Sequence, residues 1–354
     1  MTARTRDSSA HTSAPLVWAE HLPMVLTEVE VTEAQRLSPS FVRIVLAGPG
    51  LAHVGPAAEA EQEGGWWDQR FKLVLPDVSG AITSVADADE TWLSTWAARP
   101  ASERGHMRTY TVRELRGSGA ATRLVVDVVL HDEEPGSDGQ QLLGPGARWA
   151  AAVRPGTRAV ALLPRRGHPF GGIEFRPGHA ERLLLVGDET AVPAICAILE
   201  HLPADSVGAA YLEVPLSADV LDVEAPPGVQ VRWLPRDGAP HGERLRAAVH
   251  DHLGIQVEPV PGVRLDPDEV DPDLWETPTY SSSGEPIDDS ADAGEAALPE
   301  EQEPRSPHAG LYAWIAGESA VVTGLRRHLV KDLGIDRSQV SFMGYWRRGV
   351  AMKS

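Results

Sequence analysis

Cysteine is nearly missing from this 354-residue chain, with Cys196 the only one. That excludes an internal disulfide and leaves no thiolate set for a zinc or iron–sulfur centre. Any redox chemistry must therefore be borrowed from a cofactor. Cys196 itself lies in PAICAILEHL, a helical pattern, and reads as a small buried hydrophobe rather than a nucleophile. No stretch approaches the run of about 20 apolar residues that a bilayer span needs, and the opening MTARTRDSSAHTSAP lacks the apolar centre of a secretory signal. A cytoplasmic protein with no membrane partner is expected. Basic stripes are lacking as well, so nothing replaces the counterions of a phosphate backbone, and nucleic acid is not an expected partner. The histidines are scattered, and His250 and His252 stand two apart on a helical pattern, where they do not share a face. No metal site is expected.

What the chain does have is length for two domains and, at 42% hydrophobic residues, the means to bury a core in each. Its formal charge of −19 is uneven: between Ile255 and His308, 15 Asp and Glu stand against Arg264 and Arg305, which accounts for −13 and leaves −6 elsewhere. Residues 1–23 read as a flexible tail. Residues from about 257 to 307, rich in Pro, Asp, Glu, Ser and Gly, cannot bury enough apolar surface to offset the ordering of their backbone, and read as a disordered acidic insertion. Between these, strand-like runs at Glu28 to Thr32, Phe41 to Leu46, Phe71 to Pro76, RTYTVRELR, Arg123 to His131 and Thr157 to Pro164 follow one another without long helices. They predict a six-stranded antiparallel barrel. One helical turn is expected near TWLSTWAA. After Pro177 the pattern changes to alternation: RLLLVG, GAAYLEV, VQVRWLP, LYAWIAGES and VSFMGYW read as strands, and AVPAICAILEHL, LRAAVHDHL and AVVTGLRRHLVKDLG as helices. Such alternation predicts a parallel-sheet α/β domain, giving a two-domain β plus α/β protein divided at about residue 170.

Three stretches carry chemistry. In RTYTVR, strand alternation puts Arg108 and Tyr110 on one side and Thr109 and Thr111 on the other, and a cation beside a ring suits a flat anionic ligand. An exposed pair on a solvent face gives the same pattern. GPGARWAAAV runs a glycine-rich turn, Gly144-Pro145-Gly146, straight into a helical segment from Ala147, through Arg148 and Trp149. Unpaired N–H groups and the positive end of the helix dipole make such a junction an anion seat, although Gly-Pro also opens helices that bind nothing. GDETAVPA follows an apolar strand and opens a helix, where doubly wound sheets place ligands. Lys72, inside an otherwise apolar strand, with Arg326, Arg347 and Arg348, are candidates to seat an anionic substrate. Any single one of them reads more readily as a solvated surface cation, with Lys72 the strongest candidate of the four.

Taken in order, FKLVLP with Lys72, RTYTVR, VDVVLH, GPGARWA, RPGT, LLVGDETAVPAI, YLEV, AWIAGES and GYWRRG resemble the siderophore-interacting proteins, flavin-dependent ferric-siderophore reductases of the ferredoxin reductase superfamily. The resemblance runs from about Val29 to Gly349. It implies FAD as cofactor, NADH or NADPH as reductant, and a ferric siderophore as substrate, reduced so that Fe(II) is released. It further implies that Tyr110 packs on the isoalloxazine, that Arg108 faces the diphosphate, that Thr111 offers a donor near flavin N5, and that Thr109 is cofactor-binding with them. His131 falls by the flavin or its ribityl chain, and Gly144 to Trp149 hold the diphosphate. Where the family has Ala-Ser, this chain has Gly146-Ala147, so backbone donors must carry that contact. Asp188, Glu189 and Thr190 line the nicotinamide side. Glu213, ending the next strand, disfavours a 2′-phosphate by charge repulsion and favours NADH. Tyr345 and Trp346 either wall the flavin or pack the last strand. The rival readings are a general flavin reductase or diaphorase, a reductase fed by ferredoxin, and a siderophore-binding module without redox turnover.

Overall fold

The computed structural model describes residues 24–56, 65–86, 88–89, 91–130, 132–133, 142–168, 170–254 and 308–348. The expected tail, the acidic insertion and His131 lie outside the described residues. Apolar alternation builds the first sheet. Its strands are β1 (Met24–Arg36), β2 (Phe41–Ala47), β3 (Arg70–Leu75), β4 (His106–Thr111), β5 (Glu114–Arg116), β6 (Arg123–Val129) and, after the short ribbon β7 (Asp132–Glu133) and β8 (Leu142–Leu143), β9 (Arg158–Pro164). Sheet order is β4-β3-β9-β1-β2-β6-β5, with every pairing antiparallel.

The two edges of this sheet belong to one stretch of chain. Residues 106–111 pair with β3, and residues 114–116 pair with β6, so the segment bends at Val112 and Arg113 and carries the chain from one edge of the curved sheet to the other. At the bend, Val112 donates to the Gln69 carbonyl and Arg113 to that of Val125. The sequence reads this stretch as a single strand. The structure divides it, which turns six expected strands into seven, because each half satisfies its backbone on a different neighbour.

Inside the barrel lie Val29, Val31, Phe41-side neighbours Val42 and Ile44, Phe71, Leu73, Leu124 and Leu163. On the outer face at β1, β3 and β9 a second cluster packs Leu26, Val74, Val160 and Leu162 under Trp92 and Trp96 of α1 (Trp92–Ala98). That helix is longer than the single turn expected. A short α2 (Ala101–Arg104) leads into β4, and α3 (Pro145–Ala152) lays Ala150, Trp149 and Val153 against the barrel interior.

The second sheet is parallel, in order β12-β11-β10-β13-β14, from β10 (Arg182–Gly187), β11 (Gly208–Val214), β12 (Val229–Pro235), β13 (Leu311–Glu318) and β14 (Val340–Trp346). Strand order reverses between β10 and β13, the switch point at which doubly wound sheets open a crevice beyond their carboxyl ends. Its helices are α4 (Val192–His201), α5 (Glu243–His252) and α6 (Ser319–Arg327), the last continued by a π turn over His328–Asp332. α4 shares a core with Phe41, Trp67, Val129 and Phe175 from the barrel side, while α5 and α6 cover the opposite face.

Buried polar groups fix the two sheets against each other. Asp68, with no exposed surface, accepts from Phe175 N at 3.0 Å, Glu174 N at 3.1 Å and Trp314 Nε1 at 3.0 Å. Asp219, beyond β11, accepts from Ser38 Oγ at 2.7 Å and from Ser40 N and Oγ at 2.8 Å, at the β1–β2 turn. Arg113 forks onto Glu200 of α4. Removing one partner of such a buried charge costs about 3–5 kcal/mol, so the relative placement of the sheets is specified and not incidental.

Candidate functional site

Alternation along β4 is realised in its pairing. Phe71 stands opposite Tyr110 and Leu73 opposite Arg108, while Lys72 stands opposite Thr109. Tyr110 therefore packs with the barrel interior, its ring 6.3 Å from that of Phe71, and Lys72 points the other way, its Nζ 3.4 Å from Thr109 Oγ1. Burial pushes the Tyr110 phenol up to about 12, so it stays a neutral donor at any working pH. Thr109 is exposed and Thr111 is buried.

The start of α3 meets this strand face. A Cβ placed on Gly146 would stand 2.7 Å from the Tyr110 hydroxyl and 3.6 Å from Arg108 Cγ. The missing side chain at 146 is thus what lets Tyr110 and Arg108 close on the helix start. Arg148 N bonds back to Gly144 O at 2.8 Å, which begins the helix. The N–H groups of Gly146 and Ala147 precede the first intrahelical acceptor, and Pro145 has none to offer. Gly144 and Ala147 are buried, Pro145 and Gly146 half-buried and Arg148 exposed. Trp149 Nε1 is buried and meets no acceptor among the described residues. Arg108, Arg148, two free helix-start amides and an orphan indole donor, beside a phenol ring, form a donor set that fits a flavin dinucleotide. β4 is also an edge strand, paired on one side with β3.

The carboxyl edge of the parallel sheet is built from the opposite charge. Asp188, at the end of β10, is 2% exposed. Its Oδ1 accepts from Thr190 N at 2.9 Å and Thr190 Oγ1 at 2.5 Å, and its Oδ2 from Glu318 N at 2.7 Å and Trp346 Nε1 at 2.9 Å. Gly317 makes the last approach possible, because its φ of 142° and a Cβ only 2.5 Å from Asp188 Oδ2 exclude any larger residue. Glu189 takes Arg236 in a bidentate fork at 2.6 and 2.9 Å. His241 Nε2 lies 3.3 Å from Asp188, 3.8 Å from Glu189 and 3.9 Å from Glu213, with its ring edge-on to Trp346 at 5.2 Å. Despite the cost of burial, the Asp188 carboxylate raises the His241 pKa, and the same pairing lowers that of Asp188.

Asp188, Glu189 and His241 gather their ligand atoms closely enough to suggest an ion. Their oxygens already receive two backbone amides, a hydroxyl, an indole and a guanidinium, so charge and lone pairs are spent within the protein. We assign no metal to this cluster.

Glu213 needs correction. It is fully buried, accepts from Gly242 N at 2.7 Å and Leu245 N at 3.2 Å, and lies 3.4 Å from Arg236. It ties down the start of α5 and offers no charge to a 2′-phosphate, so the sequence argument for NADH over NADPH falls. Asp188 and Glu189 likewise hold loops, leaving Thr190 the half-exposed member of the turn. Among the substrate candidates, Arg348 N reaches Glu318 Oε1 at 3.3 Å, which sets Arg347 and Arg348 beside this edge. Arg326 does not join them: it lies on α6 with its guanidinium 4.2 Å from the Phe342 ring, on the face of the sheet away from the barrel. Trp346 holds Asp188, and Tyr345 packs against the core shared by α4 and the barrel. Cys196 is buried in that core, which pushes its thiol up to about 12 and leaves it inert. His250 and His252 turn to different neighbours, the ring of His328 and that of Tyr211. Sequence reasoning missed Arg236 and His241, whose signal was two cations in the short loop between an apolar strand and a helix.

A curved antiparallel half-barrel with Arg108 and Tyr110 on one strand face, fixed to a doubly wound parallel sheet, has the architecture of a two-module flavin-binding protein. Residues 30–168 match the model of the siderophore-interacting FAD-binding domain. Residues 180–349 match that of the siderophore-interacting protein, and the chain belongs to this family. Its backbone is similar to the crystal structure of a siderophore utilization protein from T. fusca, with TM-score 0.60, 27% identity and coverage of 93% of this chain and 95% of that one. It is also similar to the siderophore-interacting protein of Aeromonas hydrophila, with TM-score 0.54, 26% identity and coverage of 92% and 93%. In sequence it is 28% identical over 242 residues to the ferric vibriobactin reductase of Vibrio cholerae, spanning 68% of this chain and 65% of that relative. No helix among the described residues is long and apolar enough to cross a membrane.

Proposed function

We propose that the protein is an oxidoreductase of the cytoplasm that uses FAD to reduce the ferric ion of a siderophore complex, with electrons from NADH or NADPH. The observation that carries this reading is the meeting of Arg108 and Tyr110 with the side-chain-free start of α3 at Gly146. Residues 24–170 then form the FAD-binding domain and 171–354 the nicotinamide-binding domain. Held there, FAD would supply the passage from a two-electron nicotinamide donor to the one-electron acceptor Fe(III), which siderophore oxygens hold far more tightly than Fe(II).

The chain supplies placement and charge. Tyr110 would give a neutral ring for the isoalloxazine to lie on, and Thr111, at the end of β4, would offer a donor near flavin N5. Arg108, Arg148 and the amides of Gly146 and Ala147 take the diphosphate. Thr190, over the Asp188 hub, faces the reductant, and Arg347 and Arg348 attract an anionic chelate, with Lys72 and Thr109 on the outer side of β3 and β4. No general base or covalent nucleophile is required. Resemblance to a reductase named for a ferric siderophore supports the substrate class.

The test is anaerobic. FAD-loaded protein is mixed with a ferric siderophore and either nicotinamide while a ferrous chelator reports Fe(II). Fe(II) release that needs protein, FAD and nicotinamide together supports the proposal. Turnover of free flavin or quinones with no Fe(II) release assigns a general flavin reductase instead, and release only with reduced ferredoxin assigns that donor. Tight binding of a siderophore that stays ferric throughout leaves a binding module.

A further inference from the structure

In a doubly wound sheet the diphosphate of a dinucleotide rests on the amides that open the helix after the first strand. Here that place is the start of α4, after β10, and the chain has closed it from within. The N–H groups of Thr190, Ala191 and Val192 all end on Asp188, the first on its Oδ1 at 2.9 Å and the others on its carbonyl at 2.9 and 3.2 Å. Pro193 has no N–H to give. Ala191, Val192, Pro193 and Ala194 are buried, and Ala191, Val192 and Ala194 belong to the core shared with the barrel side. Small residues that elsewhere let a phosphate approach are spent here on packing.

Charge acts in the same sense. Asp188 and Glu189 put two carboxylates at this turn, and the cations that meet them are engaged: Arg236 forks onto Glu189, and His241 lies 3.3 Å from Asp188. A phosphate oxygen brought to the turn would have to displace carboxylates that are fixed in place. Thr190 alone is half-exposed. We propose that Asp188 and Glu189 determine reductant specificity by exclusion: they close the start of α4 to a diphosphate, so that the reductant is recognised through its reduced nicotinamide and the adjoining ribose alone. The inference rests on the reading above that a nicotinamide reduces the flavin. It makes NADH and NADPH equivalent, because the phosphate that distinguishes them lies beyond the diphosphate that the turn excludes.

FAD-loaded protein is mixed under nitrogen with NADH, NADPH or reduced nicotinamide mononucleotide, and bleaching of the bound flavin is followed. The three second-order rate constants should agree within about tenfold, less than one charge-assisted hydrogen bond to a phosphate would contribute. Calorimetric titration of the same loaded protein with ADP-ribose, which carries the diphosphate and no nicotinamide, should give no binding heat, and ADP-ribose should not slow bleaching by NADH. Glu189→Gln, which leaves Arg236 opposite an uncharged partner, should shift the preference toward the dinucleotides by about fivefold; an unmoved ratio strikes Glu189 from the proposal. A mononucleotide slower by more than about tenfold, or ADP-ribose that binds in competition with NADH, overturns the inference and leaves the nicotinamide reading standing. Bleaching by none of the three overturns the nicotinamide reading, and this inference falls with it.

Discussion

The face of β4 and the carboxyl edge of the parallel sheet are both rich in charge, and they are built in opposite ways. On β4, Arg108 and Tyr110 line a strand face that meets the bare start of α3 at Gly146, where the N–H groups of Gly146 and Ala147 precede the first intrahelical acceptor. At the sheet edge, Asp188, Glu189, Glu213 and Glu318 are buried, and each is saturated by amides, an indole or Arg236. Helix-start amides without an intrahelical acceptor are open to a ligand, whereas charge compensated within the protein holds a shape. The first region receives and the second positions. GDET, the more conspicuous motif, is therefore a hub for loops, and the strand face beside a bare glycine is the proposed seat of the cofactor.

The sharpest way to break this contrast is at Asp188. Asp188→Ala strands Thr190, Glu318 N, Trp346 and His241 without their acceptor, and should cost about 3–5 kcal/mol of unfolding free energy by denaturant titration. A loss below about 1 kcal/mol would make the edge a ligand site after all. Glu213→Ala should cost about 2–3 kcal/mol, since two buried amides and Arg236 lose their partner. The ratio of NADH to NADPH turnover should not move, and a variant that gains on NADPH alone would restore the role first expected of Glu213. Gly146→Ala tests the receiving face. With its Cβ set 2.7 Å from the Tyr110 hydroxyl, the variant should bind FAD about tenfold more weakly, or about 1.4 kcal/mol, at nearly unchanged stability.

The smallest effect expected is one of pH. His241 has a raised pKa in the folded protein, through Asp188, against an ordinary value when unfolded. Its pairing therefore adds stability that is complete below the unfolded pKa and is lost as pH rises through the folded one. His106, His250 and His252 are shifted the other way, so the difference between wild type and His241→Gln isolates the contribution. That difference should shrink from mildly acidic to mildly alkaline pH.

Much of this was legible in the sequence because it is local. Alternation fixed which side of β4 carries Arg108 and Tyr110, and the Gly-Pro-Gly start of α3 showed where helix-start amides would be free. The break at Val112 and Arg113 was hidden because both halves remain extended, and only the change of partner from β3 to β6 divides them. Glu213 was misjudged because a carboxylate ending a strand looks the same whether it meets solvent or the start of a helix more than two dozen residues later. The ties from Asp68 to Trp314, Asp219 to Ser38 and Ser40, and Arg113 to Glu200 join residues far apart in the chain, and no local pattern announces them.

The most direct test of a flavin seated on β4 is the FAD content and absorbance spectrum of wild type and Tyr110→Ala after equal reconstitution and desalting. Wild type should keep a flavin band shifted from that of free FAD, and the variant, lacking the ring beneath it, should lose most of the flavin. Equal retention with an identical spectrum in Tyr110→Ala would contradict the placement.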